Sequence, residues 1–255
     1  MMKRKISMAG TIAGLTVLAI LAGGQALAAP QDKNSDAAVK DRVESKFKEQ
    51  GLLLGNDIQV TVENKTITLS GTARTLFQKE DAGRAAHSAA KGYKVVNNIA
   101  LAAVDVTPQQ IAEGVSAAID RSSSYYIFDY VGVAVTAGGV VTLKGWSSYP
   151  WSATEFVKLA QSQPGVQKVV NEVQRVVITD SDRTLRLQVA TLLYTRPSGA
   201  GFTRQNGHVH ILVNNGVVTL GGFVDKEADI QGFERLVRFN TGALNVVNGL
   251  QLRQK

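Results

Sequence analysis

Three stretches decide the fold: Thr66-Ile67-Thr68-Leu69-Ser70-Gly71, Val140-Val141-Thr142-Leu143-Lys144-Gly145 and Val217-Val218-Thr219-Leu220-Gly221-Gly222. Each is a β-branched, apolar run closed by glycine. Each is followed by Val-Val-Asn, at Val95–Asn97, Val169–Asn171 and Val246–Asn248. From Gly71 to Asn97, Gly145 to Asn171 and Gly222 to Asn248 the interval is 26 residues every time. A spacing kept three times marks an internal repeat, and a repeat sets the architecture before any single element does.

The rest of the unit follows outward from that core. Before each glycine run lies an alternating segment: Ile58, Val60, Val62; Val131, Val133, Val135; Val209, Ile211, Val213. Period two is the pattern of a half-buried strand. Asn64-Lys65, Gly138-Gly139 and Asn215-Gly216 then supply hairpin turns, where positive φ is needed. Between glycine and Val-Val-Asn there is room for one helix, stopped near Gly92, Gly165 and Gly242. Upstream, Val39, Val43 and Phe47 recur as Ile111, Val115 and Ile119, and as Leu185, Val189 and Leu193. Spacing of four puts each trio on one helix face. The reading is α+β: three tandem αββαβ units over 36–104, 107–178 and 181–253, each a three-stranded sheet covered by two helices. The strands are expected to end at the glycines.

Residues 1–29 read as an export signal. Lys3, Arg4 and Lys5 precede an uncharged apolar run, and Ala26-Leu27-Ala28 offers small residues to a signal peptidase. The alternative is an uncleaved anchor, since the run approaches the ~20 residues that span a bilayer. Glycines at 10, 14, 23 and 24 dilute it. The formal net charge of +7 falls by three once the segment is removed. The remaining bias is too mild to argue for nucleic acid. The chain has no cysteine, which excludes disulfides, thiol catalysis and Cys-held metals.

The glycine strands, the following helix and the Val-Val-Asn strand resemble the BON family (bacterial OsmY and nodulation domain), and all three units match. The resemblance implies a helix–strand–strand–helix–strand fold, a periplasmic location and contact with phospholipid surfaces, in osmotic or envelope stress. It also implies, as an alternative, a holdase-type chaperone for exported client proteins; a structural tethering module in the envelope is a further alternative. No cofactor and no catalysis are implied. The residues agree: they contain no nucleophile elbow, phosphate loop or dinucleotide fingerprint.

Half of the chain's aromatic residues fall in the second unit. Tyr125, Tyr126 and Phe128 lie in the loop before its hairpin, and Trp146 and Trp151 follow Gly145. Amphipathic rings suit a membrane interface or a client surface. They suit equally well a core, or a contact with a neighbouring unit. In the third unit Arg183, Arg186, Arg196 and Arg204 could meet lipid phosphates, or could be ordinary surface charge. These nine residues are the candidate lipid- or client-binding set, with an anionic phospholipid surface as the first partner. His208 and His210 share a strand face, but two imidazoles without a third ligand make a poor metal site.

Overall fold

The structure, a computed structural model, describes residues 35–194 and 209–253. The expected export signal, Arg196, Arg204 and His208 lie outside the described residues.

The first unit is α1 (Asp36–Glu49), β1 (Asp57–Glu63), β2 (Thr66–Ala73), α2 (Leu76–Ala89) and a closing strand in two pieces, β3 (Lys94–Asn97) and β4 (Ala100–Leu101). The second is α3 (Pro108–Asp120), β5 (Tyr130–Val135), β6 (Val140–Ser147), α4 (Ser152–Gln161) and β7 (Lys168–Arg175). The third is α5 (Asp180–Tyr194), β8 (Val209–Asn214), β9 (Val217–Val224), α6 (Glu227–Asn240) and β10 (Asn245–Leu252). Within each sheet the glycine strand is central. It pairs antiparallel with its hairpin partner and parallel with the closing strand.

The nine helix anchors are all buried, none more than 8% exposed. Burial of each such side chain contributes on the order of 1.5–3 kcal/mol. Local signals place the helix starts. Ser35 Oγ accepts the Ala38 N–H at the head of α1, and Thr107 and Gln110 cap α3 reciprocally with Pro108 in the first turn.

The 26-residue interval has a structural cause. Leu69, Leu143 and Leu220, each two residues before its glycine, stand in register with Asn97, Asn171 and Asn248 on the closing strand. Asn97 Nδ2 donates to the Lys79 carbonyl of α2 at 2.7 Å, and its Oδ1 accepts from Ile99. Asn248 repeats both bonds with Ile230 of α6 and with Leu250. In the first and third units the asparagine fastens the crossover helix to the strand that follows it, and in the second Asn171 Oδ1 accepts from Val173.

One expectation is corrected. The central strands do not end at the glycines: β2 runs on to Ala73, β6 to Ser147 and β9 to Val224. Gly71, opposite Ile58, has φ 98°, and a Cβ there would lie 1.9 Å from the Asp57 carbonyl oxygen. Glycine is required because the partner backbone comes that close within the sheet, not because the chain leaves it. The strand carries its pairing on through the glycine, with Thr72 opposite Asp57.

The two seams between units differ. Units one and two meet through their helices. Leu76 of α2 enters the second unit's core, and Gln161 Nε2 of α4 donates to Glu80 Oε2 of α2 at 2.7 Å. Units two and three meet through the faces of their sheets that helices leave bare. Tyr130 and Trp146, cross-strand partners on β5 and β6, lie against His210 and Gly221, cross-strand partners on β8 and β9. The Ile211 N–H donates to the Ile127 carbonyl at 2.7 Å and joins the two backbones.

Candidate functional site

The segment from Ser122 to Asp129 has no regular structure, so its backbone groups need partners from elsewhere. Asp129, with no exposed surface, provides them. Its Oδ2 accepts the Tyr126 N–H at 3.1 Å and its Oδ1 accepts the Ser148 N–H at 2.7 Å. Ser148 Oγ donates to the Phe128 carbonyl, and Ser152 Oγ donates to that of Ser124. The loop before β5 is thereby fastened to the turn after β6. Burial pushes the Asp129 carboxyl above its ordinary pKa; the Ser148 and Tyr126 amides, the Ser147 hydroxyl and the nearby Arg186 charge oppose that.

This fastening assembles an aromatic platform. Tyr126 meets Tyr149 edge to face at 5.9 Å, and Tyr149 stacks on Trp151 at 5.0 Å. The three are 46%, 37% and 59% exposed. Arg186 of α5 stands at the rim: its guanidinium lies 4.1 Å over the Phe128 ring, and its Nη1 donates to Ser148 Oγ at 3.3 Å. Burial lowers its pKa, Tyr149 and Asp129 raise it, and the neighbouring Arg183 lowers it further. Arg183 itself is exposed and pairs loosely with Asp180 at 3.7 Å.

The nine expected residues therefore separate. Tyr126 and Trp151 sit on the exposed platform, with Arg183 exposed nearby. Tyr125 points inward, edge-on to Phe156 at 5.6 Å, and its hydroxyl lies 3.3 Å from His210 Nε2. Burial pushes its phenol well above the ordinary range. Trp146 is inside β6, not in the following turn with Trp151, and it packs beside Tyr130 at 5.1 Å over Gly221. Phe128 packs against the third unit's core, and Arg186 covers it. Tyr125, Phe128, Trp146 and Arg186 hold the second seam; for the three aromatics that is the neighbouring-unit alternative open to them from the sequence, whereas for Arg186 the sequence offered only lipid phosphate or surface charge. Arg196 and Arg204 are outside the described residues.

Sequence reasoning missed Tyr149, Asp129 and Ser148. Tyr149-Pro150-Trp151 was legible as an aromatic pair on a turn. Nothing in the sequence marked Asp129 as the residue that joins two loops. Among the described residues no three His, Asp or Glu side chains gather to hold a metal, and no helix is long and apolar enough to cross a membrane.

The comparisons add the following. The family model described as BON domain matches residues 35–103, 109–176 and 200–254. No curated protein matches the chain significantly. Among solved structures, the chain is similar to CdsD, a structural protein of the type III secretion system of Chlamydia trachomatis. The identity is 15%, covering 85% of this chain and 92% of that one, with a TM-score of 0.25. It is also similar to the PrgH periplasmic domain, at 14% identity over 80% of this chain and 100% of that one, with a TM-score of 0.22.

Proposed function

Since this chain belongs to the BON domain family, matched in all three of its units, we propose that it is a non-enzymatic binding module of the bacterial envelope that attaches to anionic phospholipid surfaces. One observation carries the reading: the exposed platform of Tyr126, Tyr149 and Trp151 has Arg186 at its edge, bonded to Ser148 beside Tyr149. Stacked rings with polar tips fit the headgroup layer, and guanidinium groups beside them fit lipid phosphate. The export signal read in residues 1–29 supports delivery to that compartment, and the family supports a role in osmotic or envelope stress.

Co-sedimentation with anionic and neutral vesicles at low and high salt tests the reading. Binding to anionic vesicles that weakens with salt supports it. No binding at low salt removes it.

A second reading, a holdase for exported clients, is favoured by a different surface. Phe239 and Leu187 are 78% and 54% exposed beside a groove between α5 and α6. Exposed apolar side chains of this size, here beside a groove that Thr184, Gln188 and Asn240 also line, offer contact to unfolded segments. Suppression of aggregation of an unfolded model substrate by the full chain tests it.

A further inference from the structure

Two surface positions of the third unit are apolar where the other two units are polar. Leu187 follows the buried anchor Leu185 as Asp41 follows Val39 and Glu113 follows Ile111. Phe239 lies as far beyond Gly222 as Ser88 lies beyond Gly71 and Ser162 beyond Gly145. Those four counterparts are all exposed. The fold of the unit accepts polar side chains at both places, so its core explains neither the leucine nor the ring. Leu187 and Phe239 are themselves exposed and, one from each helix, line the same groove between α5 and α6. Scattered apolar residues on a surface need no explanation. Two that replace polar residues in register and share a groove do need one.

The groove can be covered at little cost. None of the side chains lining it is charged. Thr184 Oγ1 donates to the Asp180 carbonyl at 3.1 Å, Asn240 Nδ2 to that of Leu236 at 2.8 Å and Thr241 Oγ1 to that of Val237 at 2.9 Å. These donors are matched inside their own helical segments, so a covering surface strands none of them.

Three features choose the occupant. Helix layers in this chain join helix to helix, as α2 and α4 do between units one and two. Those two layers are joined to each other, which leaves the α5–α6 layer to find its like in another molecule. The face is also self-complementary, with a projecting ring beside a recess. About a two-fold axis each Phe239 would enter the groove of the other copy, next to Leu187. Finally, the third unit is rich in arginine, with Arg183, Arg186, Arg235, Arg238 and Arg253. Two copies of such a unit meet with least repulsion through a surface that carries no charge.

We propose that the α5–α6 groove is a self-association surface, on which a second copy of this chain docks by its own third unit to form a two-fold dimer. The proposal does not rest on the lipid reading, and it gives the groove a different occupant from the holdase reading. One ring and one recess per side make a small contact, so dissociation is expected in the micromolar range.

The test uses the chain as cells process it, purified from the envelope fraction and free of lipid, so that its result is independent of membrane binding. Sedimentation velocity over a concentration series is expected to show a monomer–dimer equilibrium. Leu187→Glu and Phe239→Lys each place a charge at the contact, and each is expected to weaken association by about tenfold or more. Both positions are exposed, and circular dichroism of each variant shows whether it is folded. The decisive sample is a mixture of the two variants. In a mixed dimer one contact keeps its native leucine and ring, and the other pairs two opposite charges. Mixing is therefore expected to recover association that neither variant has alone, to within about tenfold of wild type. A wild-type chain that stays monomeric at every concentration would overturn the proposal and leave the groove to foreign segments. A dimer that both variants form as readily as wild type, or a mixture that associates no better than its parts, would overturn it too.

Discussion

Trp146 occupies the space that a side chain at Gly221 would need: a methyl group on that glycine would lie 2.7 Å from the indole Cη2. The indole of one unit thus fills a notch in the sheet of the next. Small-to-large changes at such a contact cost about 1–3 kcal/mol. Gly221→Ala is expected to lower thermal stability by that amount, and Trp146→Leu in the same chain to restore part of it. The check is a double-mutant cycle read by circular dichroism. Strictly additive effects would show that the two units do not touch there.

The close backbone approach at the central-strand glycines gives a second expectation. At Gly71 and Gly145 an added Cβ would lie 1.9 and 2.0 Å from the carbonyl oxygens of Asp57 and Tyr130, at φ 98° and 150°. Backbone cannot yield as a side-chain tip does. Gly71→Ala and Gly145→Ala are each expected to destabilise by roughly 2–4 kcal/mol. Urea unfolding of the two variants measures it. A loss below that of an ordinary surface change would contradict the close approach.

Asp182, buried at the start of α5, accepts the Asn215 and Gly216 N–H groups of the β8–β9 turn at 3.1 and 2.8 Å. Those bonds, that of Gly216 first, hold its pKa below the ordinary value. A depressed folded pKa gives stability that is present above about pH 4, where the unfolded group is ionised, and is lost as pH falls through the folded value. Asp182→Ala is expected to cost about 2–4 kcal/mol at neutral pH. The gap from wild type should narrow below pH ~4. Asp129 acts in the opposite sense. Its pKa is raised, so its contribution is present below about pH 4 and fades as pH rises through the folded value. Urea midpoints across pH 2–7 for both proteins separate the two (roughly that range brackets both carboxyls).

On vesicles, the rings and the charges should separate by salt. Tyr126→Ala, Tyr149→Ala and Trp151→Ala together are expected to weaken binding at every ionic strength, by up to ~1.5–3 kcal/mol for each ring fully inserted. Arg183→Gln is expected to cost about 1 kcal/mol at low salt and little at high salt. Arg186 is a poor choice for this test, since it also holds Phe128 and Ser148 across the seam. Co-sedimentation at two salt concentrations provides the measurement. An aromatic variant that binds as wild type does would remove the platform from the account.

Much of each unit was legible in the residues. The anchors at spacing four, the alternating hairpin strands and the repeated interval all describe contacts inside one unit, where sequence neighbours become spatial neighbours. What covers the second face of a sheet is set by chain far away, and alternation is silent about it. Tyr125, Phe128 and Trp146 therefore read equally well as exposed or packed. A signal was present in β8, where His210 and Leu212 interrupt the expected polar face, and in Gly221, which stands where the second unit has Lys144. A strand with little polarity on either side and a notch in its neighbour points to a covered sheet. The continuation of the central strands past their glycines was hidden for another reason: a glycine at a strand's end and one at a close backbone approach look the same in one dimension.

The two unlike seams impose a parity on the chain. Units one and two join helix to helix, and units two and three join sheet to sheet. Consecutive units therefore face opposite ways, like tiles laid alternately up and down. Deleting the middle unit would bring the first unit's helices against the third unit's bare sheet, a pairing that neither surface is shaped for. Growth or loss of such an array by single units would break it, whereas adjacent pairs could be gained or removed with both kinds of joint intact.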